Sequence, residues 1–378
     1  MEIAQRLFQS TPDRLELQAL MRIKPHLVLI FGSVARMTDP ALLPQLSKNL
    51  AGVAQVGCTT SGEISATGVT DDSLVITAVR FKSPDFRIAN VACGGMGDSA
   101  SAGQRLAAAL AGEDLHSILV LGQGVNINGS ALIAGITTGV GPKVILTGGL
   151  AGDGGKFQHT WTYCNGELSD RNVIGIGFYG DSIHIGHGSF GGWQPFGATR
   201  CVTRSDANVL YELDGKPALD IYKRYLGEYA KELPASGLLF PFAMLGEDYG
   251  ETGLIRTILG VNEQDGSMTL AGDIVQGGYL RLMTASTDAL VDGAESAAEA
   301  AQHMFTKGET CLAVLVSCVG RKLVMGGRVD EEVEAVADVF GKRAMLTGFY
   351  SNGEISPYVK STVCQLHNQT MTITCISD

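Results

Sequence analysis

The stretch D-S-I-H-I-G-H-G-S-F-G-G-W-Q-P-F-G, residues 181 to 197, gathers the residue types best able to hold a cofactor. Two-residue alternation puts Ile183, Ile185 and His187 on one face of a strand and His184 on the other. His187 then shares an apolar face. Glycines at 186, 188, 191 and 192 remove side chains around it, and Trp193 and Phe196 supply flat aromatic surface just beyond. One nitrogen donor in an oily wall, room beside it and aromatic packing make a slot of the kind a flat macrocycle with a central iron needs. The same residues also suit a buried imidazole satisfied by a backbone carbonyl.

Three other places could carry chemistry. Cys58 ends an apolar run inside V-G-C-T-T-S-G-E-I-S (56 to 65), where backbone N–H groups could stabilise a thiolate. No histidine lies within twenty residues to serve as its base. G-G-L-A-G-D-G-G (148 to 155) suggests a phosphate cradle, but it lacks the G-K-[ST] ending, and Asp153 at its centre repels an anion, which favours a structural turn. The remaining histidines, at 26, 116, 159, 303 and 367, sit beside strands, in turns or on an alanine-rich helix, and solvent exposure is the expectation for each.

The elements that position these residues repeat. H-L-V-L-I-F-G-S (26 to 33) is a short apolar run of the form taken by a strand buried on both faces. A helix follows in D-P-A-L-L-P-Q-L-S-K-N-L-A, with Asp39 as its cap, Pro40 at its first position and Pro44 tolerable only in the first turn. A second strand then breaks into the turn at Gly57. The order returns as strand 310–320, the helix V-D-E-E-V-E-A-V-A-D-V-F-G and R-A-M-L-T-G-F-Y-S-N-G-E-I-S, so that S-G-E-I-S at 61 to 65 is answered by N-G-E-I-S at 352 to 356. A looser third copy runs from His116 to Gly155 with the glycine turn but without the G-E-I-S. Loops at the carboxyl ends of strands in such β-α-β units present polar groups to a crevice. Glu63 and Glu354 in these turns either accept N–H bonds and hold the next segment or meet a ligand directly.

Further strands are expected at 73–81, 173–179, 182–187 and 369–376, and helices at 99–111, 217–232 and 294–306. The alternation predicts an α/β fold of layered mixed sheets built from duplicated β-α-β units, not a Rossmann fold or a barrel.

With 378 residues and 45% apolar content the chain exceeds the usual size of one core, which predicts two domains or one duplicated domain. Eleven net negative charges and no basic cluster oppose nucleic acid and anionic membrane surfaces as partners. The uncharged stretch from Ser117 to Pro142 is broken too often by Gly, Asn, Ser, Thr and Gln to span a membrane. No basic and apolar leader opens the sequence, which points to the cytoplasm. Eight cysteines, spread singly, are expected as reduced, buried thiols.

V-G-C-T-T-S-G-E-I-S, Y-E-L-D-G-K-P-A-L-D-I-Y (211 to 222) and G-F-Y-S-N-G-E-I-S-P resemble, in order, the N-terminal signature, the junction and the C-terminal signature of the FIST sensory proteins. That resemblance implies a FIST N-terminal domain over 1–210 and a FIST C-terminal domain over 211–378. It also implies a cytoplasmic sensory module, not an enzyme, that binds a small metabolite such as an amino acid and is paired with signalling proteins. Within the family, H-G-S-F-G-G-W-Q-P-F-G is most similar to the nitric-oxide-sensing haem proteins called NosP. This implies haem b held at His187, with Trp193, Phe196, Gly191 and Gly192 around it. It further implies nitric oxide as the ligand of the iron and a sensor histidine kinase as the regulated partner in a two-component system; a homo-oligomer is compatible with the sequence.

Overall fold

The computed structural model describes residues 1–305, 310–357 and 364–378. It is a mixed α/β protein with several mixed sheets. Three of the sheets are variants of one plan. Each has a leading strand, a closing strand, two parallel strands and a two-stranded hairpin, side by side in that order.

In the first unit these are Glu2–Phe8, Leu74–Arg80, Leu27–Gly32 and Ala54–Thr59. In the second they are Phe86–Ala92, Asn172–Tyr179, Leu115–Gly122 and Ile145–Leu150, and in the third His184–Phe190, Met371–Ser377, Cys311–Cys318 and Ala344–Ser351. The hairpin that completes each sheet comes from a different unit. Glu63–Ser65, written in the first unit, pairs with Ala344–Ser351 of the third. Gly353–Pro357 of the third pairs with Ile145–Leu150 of the second, and Thr162–Cys164 of the second pairs with Ala54–Thr59 of the first. The exchange closes into a ring.

The parallel strands are apolar on both faces because both faces are covered: all eight residues of Cys311–Cys318 and all six of Leu27–Gly32 are buried. On the inner side the three sheets meet in one core of Leu29, Phe31, Leu121, Ile176, Val314 and Phe349. On the outer side each sheet carries its own pair of helices. Ser99–Leu110 and Gly129–Val140 cover the second sheet through Leu106 and Leu132, and Thr287–Gln302 and Asp330–Phe340 cover the third through Ala297 and Val336. One tight glycine recurs in each unit: a Cβ at Gly57, Gly148 or Gly348 would lie 1.8 to 2.0 Å from a carbonyl oxygen of the neighbouring parallel strand.

Several local expectations shift. Asp39 does not cap the helix Leu42–Asn49; its carboxylate accepts the N–H of Ala41 at 2.9 Å, and Pro44 lies in the first turn, where no N–H is required. The strand expected at 182–187 runs as His184–Phe190. The helix expected at 294–306 starts earlier, as Thr287–Gln302 capped by Ser286, and the expected end at 306 lies outside the described residues. The helix expected at 217–232 is Ala218–Leu226 followed by a 3-10 turn. It belongs to an insertion in the third unit, between His184–Phe190 and Thr287–Gln302, which carries a nine-stranded sheet from Gln194–Pro195 to Tyr279–Thr284. The expected boundary between 210 and 211 falls inside one of its strands, Val209–Leu213. Among the described residues no helix is long and apolar enough to cross a membrane.

Candidate functional site

His187 stands on the leading strand of the third unit, at the edge of its sheet, directly across from Thr374. It is half-buried. Burial holds its imidazole below the usual histidine range, hence neutral at physiological pH. Its Nδ1 is buried and among the described residues has no hydrogen-bond partner, and neither has the Oγ1 of Thr374. The equivalent pair in the first unit is Gln5 and Thr77, and there Gln5 Nε2 donates to Thr77 Oγ1 at 3.0 Å and to the Leu346 carbonyl at 2.8 Å. The third unit thus leaves open a polar position that the first unit satisfies. Met304 covers the strand edge, its sulfur accepting the N–H of His187 at 3.3 Å.

The glycines beside His187 do not leave empty space. A Cβ at Gly186 would meet the Phe305 ring at 2.4 Å, and one at Gly188 the Ala297 carbonyl oxygen at 2.0 Å. Gly192, at φ +79°, would meet the Ala289 carbonyl oxygen at 1.9 Å. These positions let the helix Thr287–Gln302 lie directly on the strand and on the segment after it.

Gly191, Gly192 and Trp193 line a cavity of about 170 Å³ with Ser189, Met244 and Ile255; His187 and Phe196 are not in its wall. Trp193 is buried and spends its indole N–H on the Gln369 carbonyl at 2.8 Å. Phe196 is 40% exposed and packs on Tyr225 and Phe240 of the insertion. The five residues expected around a macrocycle are therefore near one another in sequence without enclosing one space. The donor suits haem iron, since a neutral, unpartnered imidazole nitrogen is what the metal takes. The cavity beside the glycine segment does not hold the ring: at about 170 Å³ it is smaller than the roughly 300 to 1,000 Å³ of pockets that take drug-sized ligands.

Glu63 and Glu354 are fully buried. Glu63 accepts the N–H and hydroxyl of Ser73 at 3.0 and 2.7 Å and the hydroxyl of Thr60. Glu354 accepts the N–H and hydroxyl of Thr370 at 3.2 and 3.1 Å and the hydroxyl of Ser351 at 2.6 Å. In both units the carboxyl ties the exchanged hairpin to the start of the closing strand. The second unit does this with Thr162, which donates to the Asn172 carbonyl at 3.1 Å. Burial outweighs the donors and raises both carboxyls, that of Glu354 to about 8.

Asp153 likewise organises a loop: its two oxygens accept the N–H groups of Lys156, Phe157, Gln158 and His159. Cys58 is fully buried in the central core, where burial pushes its thiol well up, the reverse of what a nucleophile needs. Of the histidines expected in solvent, His159 and His303 are exposed. His26 accepts the N–H of Phe81 at 3.2 Å, His116 is half-buried, and His367 is fully buried against the Ser356 carbonyl at 2.9 Å, its imidazole pushed down to about 4.

Two features escaped the sequence. One is a cleft of about 690 Å³ at the carboxyl ends of the first unit's parallel strands, walled by Ser33, Ser61, Asp71, Lys156, Lys322 and Leu323. The strand-end rule pointed to this place, but Lys322 comes from the third unit, far away in sequence. The other is a buried ion pair. Arg321 donates to Glu332 at 2.7 Å, to the Leu290 carbonyl at 2.7 Å and to the Gly191 carbonyl, while Glu332 also accepts the hydroxyls of Ser317 at 2.9 Å and Tyr350 at 2.5 Å. This network anchors the glycine segment after His187 to the third unit's core.

Comparison with known proteins agrees with the sequence signatures. An uncharacterised protein of Methanocaldococcus jannaschii is 26% identical over 240 residues, covering 58% of this chain and 43% of that protein. One of Mycobacterium tuberculosis is 26% identical over 254 residues, covering 65% and 63%. The chain thus spans less than two thirds of the length of these relatives. Among solved structures, a cyanuric acid hydrolase from A. caulinodans aligns over 99% of this chain and 98% of its own at 10% identity, with a TM-score of 0.37. The FIST N domain matches residues 26–216 and the FIST C domain residues 218–357; the chain belongs to the FIST family, whose domains suggest a role in sensing or signal transduction.

Proposed function

We propose that this protein is a haem-based nitric oxide sensor that regulates a partner histidine kinase, with His187 as the iron ligand. The observation that carries the proposal is the buried, neutral and unpartnered Nδ1 of His187, at a position where the first unit's Gln5 is fully bonded. A buried polar atom without a partner is costly to keep and is retained where something else uses it. Met304, a soft donor on the same strand edge, adds to the support. Haem iron would supply the gas-binding coordination chemistry. What this chain contributes is a neutral nitrogen held away from competing hydrogen bonds, on the face of the strand opposite the one on which the helix Thr287–Gln302 lies against Gly186 and Gly188. The test is the absorption spectrum of protein produced with haem supplied. A Soret band that nitric oxide shifts, and that His187→Ala loses, is expected. No Soret band removes the proposal, and a band unchanged in His187→Ala removes the residue assignment.

A second reading has its own observation. A haem-free sensory domain that binds a small metabolite, such as an amino acid, is favoured by the cleft of about 690 Å³ beside the Thr60–Glu63 turn. In that reading the turn forms a wall of the site and Glu63 itself is spent within the fold.

A further inference from the structure

The cleft at Lys322 has the makings of a site of known polarity. Lys322 is 16% exposed. Its ammonium lies 5.4 Å from the centroid of the Tyr350 ring, donates to the Ser61 carbonyl at 2.8 Å and pairs with Asp71. The partner is unlike the lysine: Asp71 is 71% exposed, on the turn after Gly68–Thr70. A desolvated ammonium needs acceptors, whereas an exposed carboxylate is as well served by water. Of the other acids in the wall, Glu63 is committed to Ser73 and Thr60 and Asp153 to four backbone N–H groups, while Asp72 is exposed to solvent and its carbonyl accepts from Arg36 at 2.8 Å.

A second cleft, of about 710 Å³, adjoins the first and shares Lys156 and Leu323 with it. Its walls are mostly apolar, with Phe157, Leu238, Leu239 and Ile258. Leu323 is 51% exposed and Leu259, also in this wall, 40%. Large aliphatic side chains left in a concave wall beside a nearly buried cation define a ligand with one charged end and one apolar end.

We propose that the two clefts form one site for a small amphipathic carboxylate, whose head replaces Asp71 on Lys322 and whose hydrocarbon lies along Leu238, Leu239, Ile258 and Leu323. The assignment rests on the metabolite reading above and is independent of haem. Asp71 acts as a resident competitor: it occupies the cation when the site is empty, and it brings no apolar surface with which to hold its place. The ligand gains both the ion pair and the burial of its chain.

Octanoate, titrated into haem-free protein by calorimetry and thermal shift, tests this. Octanoate is expected to raise the melting temperature, while octanol at the same concentration does so less. Lys322→Met should weaken octanoate about ten- to hundred-fold, the worth of a charged hydrogen bond. Asp71→Asn should tighten it about two- to five-fold, the worth of the exposed pair it no longer has to break. A purely structural pair predicts no gain in affinity for Asp71→Asn, so this variant keeps the test decisive even if Lys322→Met folds poorly. The proposal is overturned if octanoate does not stabilise the protein, if Lys322→Met binds it unchanged, or if Asp71→Asn binds it no more tightly. Stabilisation by glutamate or glycine but not by octanoate overturns the amphipathic class while leaving the metabolite reading standing.

Discussion

At the scale of single residues, His187 and its glycines show which part of a pattern is local: the direction of a side chain can be read from the strand, whereas what occupies the space beside a glycine cannot. Alternation correctly put His187 on the face shared with Ile183 and Ile185, because side-chain direction in a strand depends on nothing beyond the strand itself. The glycines were legible only as missing side chains, and a missing side chain marks a void and a close contact equally well. What fills the space, the helix Thr287–Gln302, begins about a hundred residues downstream, beyond any local signal. The contact has a measurable consequence. A methyl at Gly188 meets backbone, the Ala297 carbonyl at 2.0 Å, and backbone cannot rotate away as a side-chain tip can. Gly188→Ala should therefore lower stability by about 1 to 3 kcal/mol, read from the urea midpoint. Gly97→Ala, with nothing within 4 Å, should change it by less than about 0.5 kcal/mol. Equal midpoints for the two variants would mean that helix and strand are not in contact there.

At the scale of elements, the carboxyls of the repeated turn are clasps between a hairpin and a closing strand, and the clasp of the third unit depends on pH. The carboxyl of Glu354 is raised from 4.5 to about 8 in the folded chain, chiefly by burial. Between those values the folded chain holds a proton that the unfolded chain has released, so stability falls as pH rises through this window. His367 acts on the other side: its imidazole is lowered from 6.5 to about 4, and stability falls as pH drops from 6.5 towards 4. Measurements between pH 6.5 and 8 separate the two. The urea midpoint of the unaltered chain should fall across that interval, and that of Glu354→Gln, which carries no titrating group at this position, should fall less; parallel slopes would mean that Glu354 is ionised in the fold. The repetition of these turns was plain in the sequence, and so was the looser middle copy. That Thr162 takes the place of the glutamate in that copy was not, because its hairpin follows a longer loop and shares no letters with G-E-I-S. The insertion was also hidden, apart from its one helix, because its strands are short and several of their pairings are bulged, so alternation has little length in which to appear.

At the scale of the whole molecule, the exchanged hairpins decide how the chain can be divided. Strand order within a unit follows from local sequence, but which unit receives a hairpin is a long-range pairing, and the copies are too alike for pattern to choose between their sheets. Cutting at the expected boundary, between 210 and 211, would leave the N-terminal fragment with Ile145–Leu150 lacking its neighbour Gly353–Pro357 and with His184–Phe190 lacking Met371–Ser377. The C-terminal fragment would keep the parallel pair of the third unit but lose Glu63–Ser65 from Ala344–Ser351. Each fragment would expose apolar strand edges and part of the shared central core to water, a state that aggregates or stays disordered. Expressed separately, 1–210 and 211–378 should therefore show no cooperative melting transition, whereas co-expression should yield a complex that melts in one step near the intact chain. A C-terminal fragment that alone gave a sharp transition and dispersed amide resonances would show that the ring of exchanged strands is dispensable, and that the two halves are domains in the thermodynamic sense as well as in sequence.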